Sequence, residues 1–210
     1  MSPPEIWGPP IWTLFHTLSI QISPQVYPQV INSMFSMIFR ICKFLPCPEC
    51  SKDASDFLAK IKISDYKTKD DFKNMLYLFH NYVNKKKRKP LFNYDYLNKY
   101  SNLNLGIVIN NFIEKYNTKG NMNLLTESFQ RSLVIRDFIN WIKIYSRAFI
   151  QHIMIINNNP TQSIKPIKEE QNIIEKLDTI TQETIIQDTI TQDTITQDTI
   201  TQDTITPEKI

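Results

Sequence analysis

Apolar positions recur at helical spacing along most of this chain. Residues 10–21, "PIWTLFHTLSIQ", put Trp12, Phe15, His16 and Ser19 on a helical repeat. The two prolines ahead of Ile11 suit a first helical turn. Residues 27–45 carry Val30, Ile31, Met34, Met37, Ile38, Ile41 and Leu45, a stripe at i, i+3, i+4, i+7 that predicts a second helix ending at Pro46. A third helix is expected from "CPEC" through "SKDASDFLAKI". A fourth covers "KTKDDFKNMLYLFHNYVNKK", with Phe72, Leu76, Phe79 and Val83 on one stripe. Asp70 and Asp71 fall in its first turn and lysines in its last, as the helix dipole favours, and Pro90 stops it. "TESFQRSLVIRDFINWIKIYSRAFIQHIMII" reads as one long amphipathic helix with Thr126 as N-cap.

After residue 157 the pattern fails. The chain closes on a five-residue repeat, "TQDTI". A step of five turns about 140° on a helix, so no stripe persists. On a strand an odd step sends Ile to alternate faces. Neither element gains a steady core face, and the tail is read as disordered; a strand-like or solenoid array is the competing reading.

Composition narrows the fold class. Only 3 glycines occur in 210 residues. A doubly wound nucleotide fold needs glycine at its phosphate turn, and hairpins lean on it too. The expected class is therefore all-α. A net charge of +3 makes no case for nucleic acid. No apolar run reaches the roughly 18 residues of a membrane span. "MSPPEIWGPPIW" lacks the basic and apolar regions of a secretory signal, so a cytosolic setting is expected.

The chain has 3 cysteines, and two stand in "LPCPEC". Structural zinc needs four ligands. Only Cys42 and the scattered His16, His80 and His152 are on offer, with no second CxxC. A thioredoxin-like pair needs strands around it. An inert buried pair is the bland reading. Pro46 and the helix start favour a reactive dithiol, because a helix N-terminus stabilises a thiolate. Cys42, near its helix's apolar stripe, reads as a buried free thiol.

Three segments taken in order carry a resemblance. "WGPPIWTLFHT" comes first, "FLPCPEC" about thirty residues later, and "HNYVNKKKRKPLF" about thirty residues after that. Together they resemble the Erv/ALR family of FAD-dependent sulfhydryl oxidases, most of all the versions carried by large cytoplasmic DNA viruses. The resemblance covers roughly residues 5–95.

It implies a four-helix bundle with a short fifth helix around FAD. Residues 1–100 would form that domain, 101–157 a helical extension, and 158–210 the repeat tail. Cys47 would be the exposed sulfur that exchanges with substrate, and Cys50 the sulfur next to the flavin. Gly8, Trp12 and His16 would meet the cofactor from the first helix, and Phe44 would sit near its ring. His80, Asn81, Val83 and Asn84 would line it from the fourth helix. Lys86 and Lys89 would approach the pyrophosphate. Oxygen is the implied electron acceptor, peroxide the product, and a homodimer through the first helices the implied assembly. The host cytoplasm, an assembly site or the virion would be its location.

This chain also departs from the family pattern. Pro9 stands where a basic residue often lies, and Asn93 or Tyr94 where a cysteine does. No tryptophan occurs between Asn98 and Asn104, which leaves Tyr96 or Tyr100 as aromatic stand-ins. No cysteine follows Cys50, so no second dithiol can relay electrons. A separate small thioredoxin-like or CxxC protein is the expected partner. The competing functional readings are a non-catalytic helical adaptor with a vestigial CxxC and a zinc-binding interaction module.

Overall fold

The computed structural model describes residues 3–117 and 125–149. Among them every regular element is helical, as the scarce glycine and apolar spacing predict. The helices are α1 (Pro4–Gln21), α2 (Tyr27–Lys43), α3 (Pro48–Leu58), α4 (Lys69–Lys86), α5 (Leu105–Tyr116) and α6 (Leu125–Tyr145). Short 3-10 segments lie at Ile63–Asp65 and Tyr94–Asn102. The repeats lie outside the described residues.

α1 starts earlier than the sequence suggests. Pro4 takes its first position, and Pro9 and Pro10 lie inside it. Those two rings remove the N–H groups that would bond the carbonyls of Glu5 and Ile6. Both residues are exposed, so water can serve those carbonyls. Further along, every residue from Leu14 to Ser19 is buried, as in a helix packed on all sides. α1 touches α4, α5 and the Tyr94–Asn102 segment.

Long-range hydrogen bonds within the chain hold the C-terminal end of α1. Lys69 Nζ donates to the carbonyls of Ile20 and Ile22 at 2.8 and 3.1 Å. Gln21 Nε2 donates to Tyr100 O at 2.9 Å and Leu103 O at 2.7 Å. The carbonyls that a helix leaves unpaired are thus met by α4, and the 3-10 segment is tied to α1.

α2 and α4 match their predicted stripes. Val30, Met34, Ile38 and Ile41 are buried on α2, and Phe72, Leu76 and Phe79 on α4. α4 opens with a capping box, in which Thr68 Oγ1 accepts from Asp71 N and Asp71 accepts from Thr68 N. It ends before Pro90, in a left-handed turn at Arg88 with φ 54°. Arg88 N donates to Lys85 O and Lys89 N to Asn84 O, the paired bonds of a Schellman end.

The long helix expected from Thr126 through residue 156 is met in part: Thr126 lies inside the first turn and not at the N-cap, and residues 150–156 lie outside the described residues. α6 begins at Leu125 and ends at Tyr145. After a turn at Ser146 the backbone is helical again over 147–149, and Ala148 O accepts from Ser23 N at 2.9 Å, with Ala148 and Phe149 buried. α6 lies on α2 through an Arg40–Asp137 ion pair at 2.6 Å and a bond from Trp141 Nε1 to Ser33 Oγ at 3.0 Å. Phe112 of α5 meets Phe138 of α6 edge-on at 5.3 Å. α5 and α6 therefore share one apolar core with α1–α4.

Candidate active site

The α2–α3 turn builds the redox centre. Cys47 is extended (φ −127°, ψ 111°) and is the N-cap of α3, with Pro48 in the first helical turn. Cys47 and Cys50 form a disulfide, their Cα atoms 5.2 Å apart. Cys47 Sγ accepts from Cys50 N at 3.2 Å. A sulfur so placed has its thiolate supported by the helix end. The Ser51 hydroxyl donates to Lys43 O and ties α3 back to α2.

Beside the disulfide lies a cavity of about 470 Å³ between α1, α3, α4 and the 92–100 segment. Cys50 lines it and Cys47 does not. Its flat walls include Trp12, Phe79, His80, Phe92 and Tyr100. Trp12 stacks on His80 with centroids 4.1 Å apart and planes 7° apart, and Phe92 lies on His80 at 4.6 Å. Gly8 also borders it, and a Cβ there would meet no atom within 4 Å.

His16 sits behind this wall. It is fully buried, does not line the cavity, and shares a hydrogen bond between its Nε2 and His80 Nδ1 at 3.0 Å. Burial pushes His16 down to about 3, with His80 and Lys99 adding to the shift. Burial and then Lys99 push His80 down to about 4. Both rings are neutral at ordinary pH.

The basic run divides by partner. Lys86 pairs with Asp53 at 2.7 Å, Lys87 with Glu49 at 3.1 Å, and Lys89 with Glu5 at 3.2 Å. Lys86, Lys87 and Lys89 line the cavity, with Asp53 and Glu5 beside them. Lys99 also lines it, its Nζ 4.9 Å over the Tyr100 ring.

The structure thus gathers Gly8, Trp12, Cys50, His80, Val83, Asn84, Lys86 and Lys89 around one cavity. His16, Phe44 and Asn81 do not line it. Asn81 instead clamps Phe92, accepting from its N at 2.7 Å and donating to its O at 3.2 Å. Asn84 Nδ2 donates to Pro90 O at 3.1 Å. The two asparagines fold the Lys89–Phe92 turn back onto α4. Of the two aromatic stand-ins, Tyr100 is buried on the cavity and Tyr96 is exposed. No sequence signal marks Lys99: it falls outside the basic run, and only the 3-10 segment brings it to the wall. Among the described residues no cluster of three or more His, Cys, Asp or Glu could hold a metal ion.

The Erv1 / Alr family model matches residues 9–102. Protein 347L of Invertebrate iridescent virus 6, a putative FAD-linked sulfhydryl oxidase by name, is 30% identical over 94 residues, 42% of this chain and 85% of that protein. The mitochondrial FAD-linked sulfhydryl oxidase erv1 of Schizosaccharomyces pombe is 30% identical over 87 residues, 41% of this chain and 48% of its own. An African swine fever virus FAD-linked sulfhydryl oxidase (isolate Pig/Kenya/KEN-50/1950) is 28% identical over 95 residues, 45% of this chain and 79% of that protein. No solved structure gives a significant match. A dithiol at a helix start, a flat aromatic cavity against one of its sulfurs, and a viral relative matched over 85% of its length lead to one conclusion: the chain belongs to the Erv1/Alr family.

Proposed function

We propose that this protein is an FAD-linked thiol oxidase that introduces disulfides into protein substrates. The observation that carries the reading is the placing of Cys50, and not its partner Cys47, on the wall of the aromatic cavity.

A substrate thiolate attacks Cys47 Sγ. The Cys47–Cys50 bond breaks, a mixed disulfide forms, and Cys50 leaves as a thiolate. The second substrate thiolate attacks the substrate sulfur of the mixed disulfide, and Cys47 leaves in turn. Its departing charge is supported by the Cys50 N–H that already points at Sγ. The substrate has then lost two electrons and two protons, and the pair has gained the electrons. When bound, FAD would supply the two-electron acceptor for this pair, with oxygen as the final acceptor and peroxide as the product.

The cavity suits that cofactor. Trp12, His80 and Tyr100 offer flat faces, and Gly8 leaves space at the wall. Lys86, Lys89 and Lys99 offer positive charge for phosphates. Lys86 and Lys89 would exchange their carboxylate partners for that role, whereas Lys99 faces rings. The neutral His16–His80 pair places no charge behind the wall.

The protein substrate is read as a small thioredoxin-like or CxxC protein, because these 210 residues hold no second dithiol. Such a partner should reduce the enzyme faster than a small dithiol does. A homodimer through the first helices would use the outer face of α2, where the partly exposed Phe35 and Phe39 rings lie parallel, 6.4 Å apart. Sedimentation at micromolar concentration tests it, and a monomer throughout rejects it. Among the described residues no helix is long and apolar enough to cross a membrane. With viral relatives, the reading puts the work in an infected cell's cytoplasm, its assembly site or the virion.

Anaerobic titration with a dithiol should bleach a flavin spectrum that returns in air. Cys50→Ser should keep FAD and lose turnover. A colourless chain that takes up no FAD would instead favour a helical adaptor with a vestigial CxxC.

A further inference from the structure

The redox turn is also held from a part of the chain that the family match does not reach. α2 ends at Lys43, and Ile41 O near its end accepts a 3.3 Å bond from the N–H of the C-cap residue Phe44, which leaves the carbonyl a second lone pair. The hydroxyl of Tyr116, the last residue of α5, lies 3.0 Å from Ile41 O and 3.1 Å from Phe44 O. Phe44 stands three residues ahead of Cys47. One phenolic proton serves both acceptors, shared or alternating, so the hydroxyl spans the end of α2 and the start of the redox turn.

The ring is anchored for this task. Tyr116 is fully buried and stacks on Phe112 at 5.1 Å, and Phe112 meets Phe138 of α6. Burial holds its phenol well above the usual range, so it stays a donor at working pH. From the other side, Ser51 of α3 bonds Lys43 O. The turn that carries Cys47 is therefore gripped both by the redox helix and by α5.

Resting on the thiol-oxidase reading, we propose that Tyr116 is a positioning residue: its hydroxyl fixes the Ile41–Phe44 turn and so sets where Cys50 stands against the cavity. A held turn keeps the two sulfurs near each other after reduction, which favours the disulfide. Freeing it lowers the effective concentration of one thiol at the other. The pair then becomes easier to reduce, and Cys50 meets the cofactor in a looser geometry.

The test is Tyr116→Phe in the full chain, with Phe112→Leu as control. The first removes only the hydroxyl. The second loosens the same ring stack and keeps it. Two readouts are needed besides turnover. One is the glutathione ratio at which Cys47 and Cys50 are half reduced, scored by alkylation and mass. The other is the anaerobic rate of flavin bleaching.

Tyr116→Phe should keep its FAD and its KM for dithiol. It should move the half-reduction ratio toward easier reduction several-fold and slow bleaching by about tenfold. Phe112→Leu should melt earlier with the ratio unchanged. A wild-type ratio and rate in Tyr116→Phe would overturn the proposal. So would equal shifts in both variants, or a Tyr116→Phe chain that loses its helix content, because the hydroxyl would then serve the fold at large. Wild-type protein that never bleaches would sink the oxidase reading instead, while the alkylation readout would still report on Tyr116.

Discussion

Gly8 is the residue whose identity the protein alone does not explain. It sits inside α1, where glycine is worse than alanine by about 1 kcal/mol. A Cβ there would meet nothing within 4 Å. The open space borders the cavity, so the missing methyl is read as room for a ligand. Gly8→Ala should raise the unfolding free energy of the cofactor-free protein by about 0.5–1 kcal/mol. The same change should weaken FAD binding, measured by fluorescence titration. Tighter or equal binding would remove Gly8 from the cofactor's surroundings. The histidine pair makes a second prediction at this scale. His16 is pushed down to about 3 and His80 to about 4, mainly by burial. An unfolded histidine near 6.5 takes up its proton first as pH falls, so folded stability is complete above that value. It declines from about pH 6.5 down to the folded values. Each ring should cost about 2 kcal/mol between pH 7 and pH 5 in urea titrations. His16→Gln should shrink that loss, and an unchanged loss would mean that the pair is not buried neutral.

Among the elements, α2 and α4 are legible in the sequence because each carries an unbroken stripe, bounded by Pro28 and Pro46 in α2 and by the Thr68 cap in α4. α1 and α6 each depart from the expected pattern at one end, for different reasons. Pro9 and Pro10 read as a helix start, yet the carbonyls they orphan belong to exposed Glu5 and Ile6, so the helix continues through them. The apolar pattern of α6 runs past Tyr145, but a turn at Ser146 interrupts the helix, and a bond from Ser23 N to Ala148 O ties the next residues to the α1–α2 loop, a contact that no local pattern records. The site is legible to a similar depth. Motif spacing marks Trp12, Cys50 and His80 as a group. It cannot separate residues that line the cavity from Asn81, whose amide holds the backbone of Phe92. The end of α4 shows the same limit and supplies a test. Pro90 reads as the helix stop, whereas Arg88 ends it in a left-handed turn at φ 54°. That conformation costs a residue with a Cβ roughly 1–2 kcal/mol. Glycine avoids the clash but brings back part of it as unfolded-state entropy. Arg88→Gly should therefore gain about 0.5–1 kcal/mol in urea denaturation. Arg88→Val, branched at Cβ, should lose stability. The reverse order would place the turn outside the left-handed region.

At the scale of the whole molecule, the question is whether the oxidase-like segment stands without α5 and α6. α5 makes the most extensive contact that α1 has, and α6 lies along α2. Val108, Ile109, Phe112 and Tyr116 of α5, and Val134, Ile135, Phe138 and Ile142 of α6, are all buried in the same core as α1 and α2. Burying one large apolar side chain is worth about 1.5–3 kcal/mol. Eight such residues, buried against α1 and α2 in one core, couple the unfolding of α5 and α6 to theirs. The described residues should therefore unfold as one unit. Far-UV circular dichroism, tryptophan fluorescence and flavin absorbance should report one urea midpoint, since Trp7 and Trp12 lie on α1 and Trp141 on α6. A chain ended at Asn104 strips α5 and α6 from α1 and α2 and leaves Ile41 O and Phe44 O without the Tyr116 hydroxyl. It should associate through the uncovered faces or fail to fold, and as a monomer it should hold no flavin. A monomeric, helical, yellow truncation would show that α1–α4 form a complete core and that α5 and α6 only lie upon it. The position of the redox turn would then be set within the bundle, and Tyr116→Phe would leave the dithiol unchanged.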